Sequence, residues 1–261
     1  MSVRTKVFDF PGSQGQRLSG RLDLPEGTPH AFAVLAHCFT CSKNSVASVR
    51  IARALATKGI GVLRFDFTGL GQSAGDFSHA TFSGDVADLM AAVRAMEQEG
   101  YPPRILIGHS LGGAAVLAAT GNLPDIAAVV TIGAPCNTGH VTHLFDGSLD
   151  RIFQEGKARV RLGGESFVIR QAFVEDLREQ DQRHRIAHLS RPLLILHSPR
   201  DEVVSVESAG AIFQAARHPK SFVSLDTADH LLTKAEDAEY AATIIAAWMT
   251  RFVPVIEPTP V

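Results

Sequence analysis

Hydrophobic residues fall along this chain in short runs that alternate with longer segments patterned for helices. In residues 17–25 apolar and polar positions alternate, and together with residues 5–10 this predicts an antiparallel hairpin at the start of the fold. Six later runs are nearly continuous in apolar residues, which is typical of strands buried on both faces of a sheet. They cover residues 31–37, 59–66, 103–109, 126–133, 192–198 and 220–226.

Helical spacing marks the segments between these runs, at residues 46–58, 82–99, 112–122, 206–216 and 235–252. In the last of them, Ile244, Ile245 and Trp248 place an apolar stripe on one helix face. Strands that alternate with helices in this way favour a mostly parallel sheet with helices packed on both of its faces. The pattern therefore predicts an α/β fold built on eight strands.

One segment does not follow this alternation. Residues 136–190 are charged and interrupted by glycines, with a hairpin pattern at 157–170 and a charged helical pattern after it. A stretch of this length outside the strand-helix repeat is typical of an insertion rather than of a simple connection. We therefore predict an α/β core formed by residues 1–135 and 191–261, and an inserted cap subdomain formed by residues 136–190.

Length and composition narrow the class of protein. A chain of 261 residues is long enough for one large α/β domain or for two small ones. Its 25 Lys and Arg residues nearly balance its 27 Asp and Glu residues, so we expect neither nucleic acid nor an anionic membrane as a partner. The first residues lack the apolar segment of a secretory signal, and no apolar run approaches the ~20 residues that span a bilayer. We expect a soluble, cytoplasmic protein.

The most specific chemical signal is a G-x-S-x-G motif formed by Gly108, His109, Ser110, Leu111 and Gly112. It stands between a predicted strand and a predicted helix, and at such a turn a side chain in place of either glycine would collide with neighbouring backbone. The turn exposes the serine hydroxyl at the start of the helix, where developing negative charge is favoured. The motif and its context predict that Ser110 is a nucleophile rather than part of a packing turn.

A serine nucleophile needs a base that takes its proton and a carboxylate that orients the base. Asp201 and His230 each follow a predicted strand, and open parallel sheets place their sites at that end of the strands. Ser110, Asp201 and His230 also follow one another along the chain in the order nucleophile, acid, base that is typical of proteins with this nucleophile turn. Asp226 and Asp229 are rival acids, although an immediate chain neighbour such as Asp229 seldom points at the histidine beside it.

The stretch AHCFTCSKN, residues 36–44, admits several interpretations. Its C-x-x-C spacing beside a strand and a helix is found in redox motifs and in half of a zinc site. Acyl transfer from a serine, however, requires two N–H donors for the oxyanion, one after the nucleophile and one in the loop after the third strand. Leu111 and Phe39 occupy those places, so we predict that their backbone N–H groups form the oxyanion hole. With three cysteines in the chain and no second pair for zinc, we expect Cys38 and Cys41 to be free thiols.

The set formed by residues 37–39, 108–112, 201 and 230 resembles the α/β-hydrolase superfamily over essentially the whole chain. Within that superfamily, HCFTCSKN is similar to the H-G-F-x-x-x-x-N segment of bacterial cinnamoyl and feruloyl esterases. It resembles still more closely the hydrolase half of bacterial fusions with a C-terminal domain of the osmotically inducible peroxidase type. The resemblance implies an α/β-hydrolase fold, with a hairpin-containing insertion over the site between the sixth and seventh strands.

The sequence departs from this pattern in two ways. Cys38 replaces the usual glycine, so we expect the loop to run differently, because a non-glycine residue resists positive φ. We also expect no second domain after Val261, and therefore no peroxidase chemistry.

These residues together predict a serine hydrolase. We expect a carboxylesterase that cleaves small or aromatic esters through an acyl-enzyme, without a cofactor and without a metal. Thioesterase, peptidase and acyltransferase activities use the same residues and stay open, as does a ligand-binding or sensing protein on a hydrolase scaffold. A small-molecule ester is the expected partner, and a homodimer is one expectation for the assembly.

We place His37, Leu144 and Phe145 at the substrate pocket. Whether the phenylalanines of the insertion line that pocket or form a small core of their own stays open.

Three further features have structural interpretations. His140, His143 and Asp146 have a spacing that permits a metal, but without a second cluster we expect solvated side chains. The Gly-rich loop after residues 59–66 lacks the spacing of nucleotide-binding motifs, so we expect Asp66 to brace the floor of the site by accepting hydrogen bonds from local N–H groups. His109 is expected to pack beneath the nucleophile turn.

Overall fold

The computed structural model of the chain describes residues 2–254 and centres on an eight-stranded sheet. The strands are β1 (Val3–Val7), β2 (Phe10–Pro11), β3 (Arg17–Leu18), β4 (Gly20–Pro25), β5 (Ala31–Ala36), β6 (Ile60–Phe65), β7 (Ile105–His109), β8 (Ala128–Ile132), β9 (Lys157–Leu162), β10 (Glu165–Arg170), β11 (Leu193–His197) and β12 (Lys220–Ser224). The α-helices are α1 (Val46–Thr57), α2 (Phe82–Gln98), α3 (Leu111–Ala119), α4 (Leu149–Glu155), α5 (Gln171–Glu179), α6 (Gln182–Ala187), α7 (Glu207–Ala215) and α8 (Ala235–Met249). Shorter 3-10 segments cover Phe77–His79, Thr120–Asn122 and Thr138–Ser148.

The central sheet has the strand order β1-β4-β6-β5-β7-β8-β11-β12. The pairs β1–β4 and β4–β6 are antiparallel, and the remaining neighbours are parallel. The opening hairpin and the mostly parallel eight-stranded sheet predicted from the apolar runs are therefore confirmed. The continuous apolarity of β5, β7, β8 and β11 has its expected cause, because every residue of these strands is buried.

Helices cover both faces of this sheet. On one face, α1 and α8 bury their apolar sides against the central strands, and on the other face α2, α3 and α7 do the same. The parallel strands β5, β7, β8 and β11 end at the same edge of the sheet. The loops that follow them are thereby brought together. Within residues 2–254, none of the helices combines the length and the apolar character needed to cross a membrane.

The segment between β8 and β11 contains structure of its own. Strands β9 and β10 pair antiparallel outside the central sheet, at the position of the predicted hairpin, and Gly163 and Gly164 supply the positive φ values of its turn (57° and 89°). Helix α5 follows, and its Phe173 and Leu177 are buried in the apolar core shared with α2 and α3. The division into a core and a cap stays a prediction, and residues 255–261 of the predicted core lie outside the described residues.

Candidate active site

Ser110 lies in the turn between β7 and α3, at the edge where the parallel strands end. Its backbone has φ 55° and ψ −124°, a conformation that costs a non-glycine residue about 1–3 kcal/mol. The turn leaves no room for side chains at its glycines. A Cβ at Gly108 would lie 2.2 Å from the carbonyl oxygen of Gly112, and a Cβ at Gly112 would lie 2.4 Å from that of Ala36. The strained turn predicted from the motif is therefore present.

The structure brings Ser110, His230 and Asp201 into one line of hydrogen bonds. The Nε2 atom of His230 lies 3.0 Å from the Oγ atom of Ser110, and its Nδ1 atom lies 2.7 Å from Oδ2 of Asp201. Ser110 and His230 are each 8% exposed, so the contact between them is largely shielded from water. This geometry allows His230 to accept the serine proton while Asp201 orients the ring.

Asp201 is held in place by the backbone as well as by His230. Its Oδ1 atom accepts hydrogen bonds from the N–H groups of Val203 and Val204, at 2.9 and 2.8 Å. Burial raises the pKa of the Asp201 carboxyl, but the hydrogen bonds from His230 and Val204 outweigh burial and leave that pKa below its usual value. An ionised Asp201 favours the His230 tautomer that carries its proton on Nδ1, which leaves Nε2 free to act as a base.

The rival acids face other partners. Asp229 accepts hydrogen bonds from the backbone N–H of Thr233, at 2.9 Å, and from the Thr233 hydroxyl. Asp226 is exposed in the turn after β12. The carboxylate that contacts the His230 ring is thus Asp201.

The backbone N–H groups of Phe39 and Leu111 are candidate oxyanion donors. Both residues line the cavity that contains Ser110. Leu111 is the first residue of α3, so its N–H has no acceptor within the helix. Within residues 2–254, neither of these N–H groups donates a hydrogen bond. Two unpaired donors beside a serine hydroxyl can stabilise the negative charge that forms on a carbonyl oxygen.

A cavity of about 380 Å³ opens above Ser110. Its walls come from the loops after β5, β8 and β11 and from the inserted segment, and Leu144 is the predicted pocket residue that contributes to them. Most of the lining is apolar, and its polar groups include Thr40, His140, His143 and Glu165. The apolar part is formed by Phe39, Leu111, Pro135, Val141, Leu144, Leu162, Phe167, Val203, Val204 and Leu231.

Two of the predicted pocket residues, His37 and Phe145, do not line this cavity. His37 is turned beneath the loop, where its Nδ1 lies 2.8 Å from the carbonyl oxygen of Cys38 and its ring packs against Phe67. Burial lowers the pKa of His37. Phe145 is buried against the ring of Phe39, as part of the apolar core. Both side chains support the cavity wall from behind.

The prediction of free thiols at Cys38 and Cys41 is wrong, because a disulfide joins them. The N–H of Cys41 donates a hydrogen bond to the carbonyl oxygen of Cys38 at 3.1 Å. This turn brings the two Cα atoms to 5.3 Å, a separation that suits a disulfide. Cys136 remains a free cysteine. Cys38 and Cys41 both line the cavity above Ser110.

His140 and His143, which are predicted to be solvated side chains, also line this cavity. The Nε2 atom of His140 is 3.0 Å from the carbonyl oxygen of Val203, whereas His143 is exposed at the rim. No group of three His, Cys, Asp or Glu side chains in the described part of the chain is arranged to hold a metal ion. These two histidines therefore border the cavity entrance.

Two residues at the site have no signal in the sequence. Lys43 is fully buried, and its ammonium group lies 2.5 Å from Oδ2 of Asp66 while its N–H donates to Oδ1 at 2.6 Å. Asp66 therefore braces the loop as predicted, with a lysine as an unforeseen partner. Gly133 has φ 56°, and a Cβ there would lie 3.1 Å from Oδ2 of Asp201 and 3.4 Å from Nδ1 of His230.

Comparison with known proteins identifies the family. A family model described as serine aminopeptidase, S33, matches residues 27–185. The chain belongs to this family of α/β hydrolases. The predicted superfamily is thereby confirmed, whereas the likeness to peroxidase-domain fusions stays a prediction.

Solved structures agree with this assignment. The hydrolase is 47% identical to the esterase domain of a Rhodothermus marinus protein, with a TM-score of 0.77 over 97% of this chain and 100% of that chain. The ferulic acid complex of Est1E from Butyrivibrio proteoclasticus shares the fold, at 19% identity and a TM-score of 0.76 over 94% and 98% of the two chains. Among curated proteins, YfhR of Escherichia coli O157:H7 is 24% identical over 85% of this chain and 72% of its own length.

Proposed function

We propose that this hydrolase is a carboxylesterase that cleaves small or aromatic carboxylic esters through an acyl-enzyme on Ser110. The observation that carries the proposal is the line of hydrogen bonds from Asp201 through His230 to Ser110, at the floor of an apolar cavity. The 47% identity to an esterase domain over nearly the whole chain supports ester cleavage over other reactions of the same residues.

The proposed reaction begins when the Ser110 hydroxyl attacks the ester carbonyl. His230 accepts the serine proton on Nε2, and the charge on the carbonyl oxygen is stabilised by the N–H groups of Phe39 and Leu111. His230 then gives that proton to the leaving alcohol as the tetrahedral intermediate collapses to the acyl-enzyme. In the second half, His230 takes a proton from a water molecule that attacks the acyl carbonyl, and it returns a proton to the Oγ atom of Ser110 as the acid leaves.

The cavity favours neutral, mainly apolar esters. Its volume of about 380 Å³ lies near the lower end of the range typical of small-molecule sites. Phe39 and Phe167 offer aromatic faces to an acyl or alcohol group, whereas Glu165 disfavours a second carboxylate on the substrate. We therefore expect short aliphatic and aromatic monoesters to be turned over faster than long-chain or dicarboxylic esters.

The experiment compares wild-type protein with Ser110→Ala. p-Nitrophenyl esters of graded acyl length, together with methyl hydroxycinnamates, should be hydrolysed by wild type and not by the variant. A fluorophosphonate probe should add once to wild type, at Ser110, as measured by intact mass. Wild-type protein without an adduct would contradict the proposal.

An amide substrate separates the esterase from a peptidase. The matched family is described as an aminopeptidase family, so aminoacyl p-nitroanilides belong in the same assay. We expect kcat/KM for the best ester to exceed that for every anilide. Faster cleavage of an anilide would indicate a peptidase instead. If ligands raise the thermal stability of the protein but neither esters nor anilides are cleaved, the result would favour a sensor.

A further inference from the structure

The disulfide between Cys38 and Cys41 closes a ring around the residue that offers the first oxyanion donor. Phe39 and Thr40 are the only residues between the two cysteines, and all four line the cavity above Ser110. The position of the Phe39 N–H therefore depends on the four-residue turn that the disulfide closes.

The ends of this loop are held by contacts that do not involve sulfur. On one side, the His37 ring is buried and contacts the Cys38 carbonyl oxygen. On the other side, Lys43 is fixed to Asp66 through both its backbone and its side chain. Opening the disulfide would therefore leave the rest of the loop anchored. The change would be confined to residues 38–41.

The turn inside the ring is strained. Thr40 has φ 57°, a left-handed conformation that is uncommon for a β-branched residue. Such a conformation persists where the surrounding structure imposes it. The disulfide is one such constraint. Once it is reduced, Thr40 can relax toward the negative φ that a β-branched residue prefers. That rotation would move the neighbouring Phe39 peptide.

The two cysteine residues differ in exposure. Cys38 is 6% exposed, whereas Cys41 is half-buried and faces the same cavity. A small thiol that enters the cavity therefore meets Cys41 first. Cys136, the remaining cysteine, does not line this cavity.

We propose that Cys38 and Cys41 form a reversible redox site for small-molecule thiols and disulfides, and that its oxidised form holds Phe39 in the position that ester hydrolysis requires. The effect on activity rests on the proposed function; the redox exchange itself does not.

The proposed exchange proceeds in two thiol–disulfide steps. A thiolate attacks the sulfur of Cys41, the Cys38–Cys41 bond breaks, and Cys38 leaves as a thiolate that takes a proton. A second thiolate attacks the mixed disulfide and releases the small-molecule disulfide, and Cys41 in turn takes a proton. Two small thiols are thus oxidised to one disulfide while the protein gains two thiols. The reverse sequence oxidises the protein.

The redox step is tested first without any activity assay. Folded wild-type protein is equilibrated in glutathione buffers of graded ratio, quenched with iodoacetamide, and analysed by intact mass and peptide mapping. We expect labelling of Cys38 and Cys41 to rise together as the buffer becomes more reducing. Labelling of Cys136 in every buffer, or in none, is compatible with this. A pair that stays fully closed or fully open at every ratio would overturn the redox site.

Ester hydrolysis is then measured on the same samples, with an ethyl ester and a blank without protein to subtract attack by the thiol. We expect kcat to fall on reduction by up to about 10²- to 10³-fold, the cost of removing one oxyanion donor, with KM changed less, and to return on reoxidation. Cys136→Ser should respond like wild type. Cys38→Ser/Cys41→Ser should stay near the reduced level in every buffer.

The outcomes distinguish the two proposals. If oxidised wild type neither hydrolyses esters nor reacts with a fluorophosphonate, the proposed function fails while the labelling experiment still decides the redox site. If esters are hydrolysed equally in both states, the control of Phe39 is overturned. If the double cysteine variant does not fold, the reduction and reoxidation of wild type carry the test.

Discussion

The His109 side chain contacts the backbone of the proposed base, with its Nε2 atom 2.6 Å from the carbonyl oxygen of His230. The ring is 2% exposed, and its Nδ1 atom has no partner within the described residues. Burial lowers the pKa of His109 to about 3, and the neighbouring His230 adds to this effect. A neutral His109 therefore donates from Nε2 and braces the turn that carries His230, in agreement with its predicted place beneath the nucleophile.

This buried histidine predicts that the protein loses stability in mild acid. In the unfolded chain His109 takes up a proton below a pKa of about 6.5, whereas in the folded protein it resists protonation down to about 3. The free energy of unfolding should therefore fall as the pH is lowered through this window, by up to about 1.4 kcal/mol per pH unit for this group. Urea unfolding at pH 7 and pH 5 measures the slope.

The control for this prediction is a pair of variants. His109→Gln should reduce the slope without abolishing it, because burial also lowers the pKa values of His37 and His197. His188→Gln, at an exposed position, should leave the slope unchanged. Equal slopes in wild type and His109→Gln would exclude His109 as a source of acid sensitivity.

Asp201→Asn should retain the fold and lose most of the ester hydrolysis. The amide can still approach Nδ1 of His230, but it favours the tautomer with the proton on Nε2, which cannot accept the serine proton. By analogy with other serine triads, we expect kcat/KM to fall about 10³- to 10⁴-fold. The matched control is Asp229→Asn, whose side chain accepts hydrogen bonds from Thr233 and should change kcat/KM less than about threefold. Comparable losses in both variants would contradict the assignment of Asp201.

The nucleophile turn should not tolerate a methyl group at Gly112. A Cβ there would approach the carbonyl oxygens of Ala36 and His37 to 2.4 and 2.5 Å, and backbone atoms cannot yield as a flexible side chain would. We expect Gly112→Ala to lower the free energy of unfolding by about 3 kcal/mol or more. Gly121→Ala is the control, since a Cβ at that position meets no atom within 4 Å. A thermal melt in which both variants match wild type would show that the turn is looser than the structure indicates.

The fold and the three central site residues could be predicted because they depend on features that the sequence displays directly. Continuous apolar runs identify strands buried on both faces, and Ser110 and Asp201 each follow such a strand. His230 follows β12, an edge strand that is only partly buried although its run predicts burial on both faces. Parallel strands end at one edge of the sheet, so chain positions that are far apart in sequence meet there. The glycines that flank Ser110 are required by backbone contacts within a few residues.

The remaining features depend on side-chain direction and burial, which the sequence does not display. The position of His37 after β5 predicts a place at the pocket, yet its ring turns inward against Phe67. Cys38 and Cys41 form a disulfide only because the intervening turn brings their Cα atoms together, and that turn contains a threonine in a conformation that sequence patterns rarely indicate. A lysine in a polar loop gives no sign that it is buried.

Lys43, in the loop that follows β5, and Asp66 form a fully buried ion pair, so removing one partner leaves the other charge without compensation. Lys43→Met should lower the free energy of unfolding by about 3–5 kcal/mol, and Lys43→Met/Asp66→Asn should recover part of that loss because neither charge is then buried. Lys58→Met removes an exposed pair with Glu239 and should cost less than about 1 kcal/mol. Urea unfolding of wild type, Lys43→Met, Asp66→Asn and the double variant measures the coupling between Lys43 and Asp66. Additive losses in the double variant would mean that the two residues stabilise the loop independently, through the backbone hydrogen bonds of Asp66 rather than through their charges.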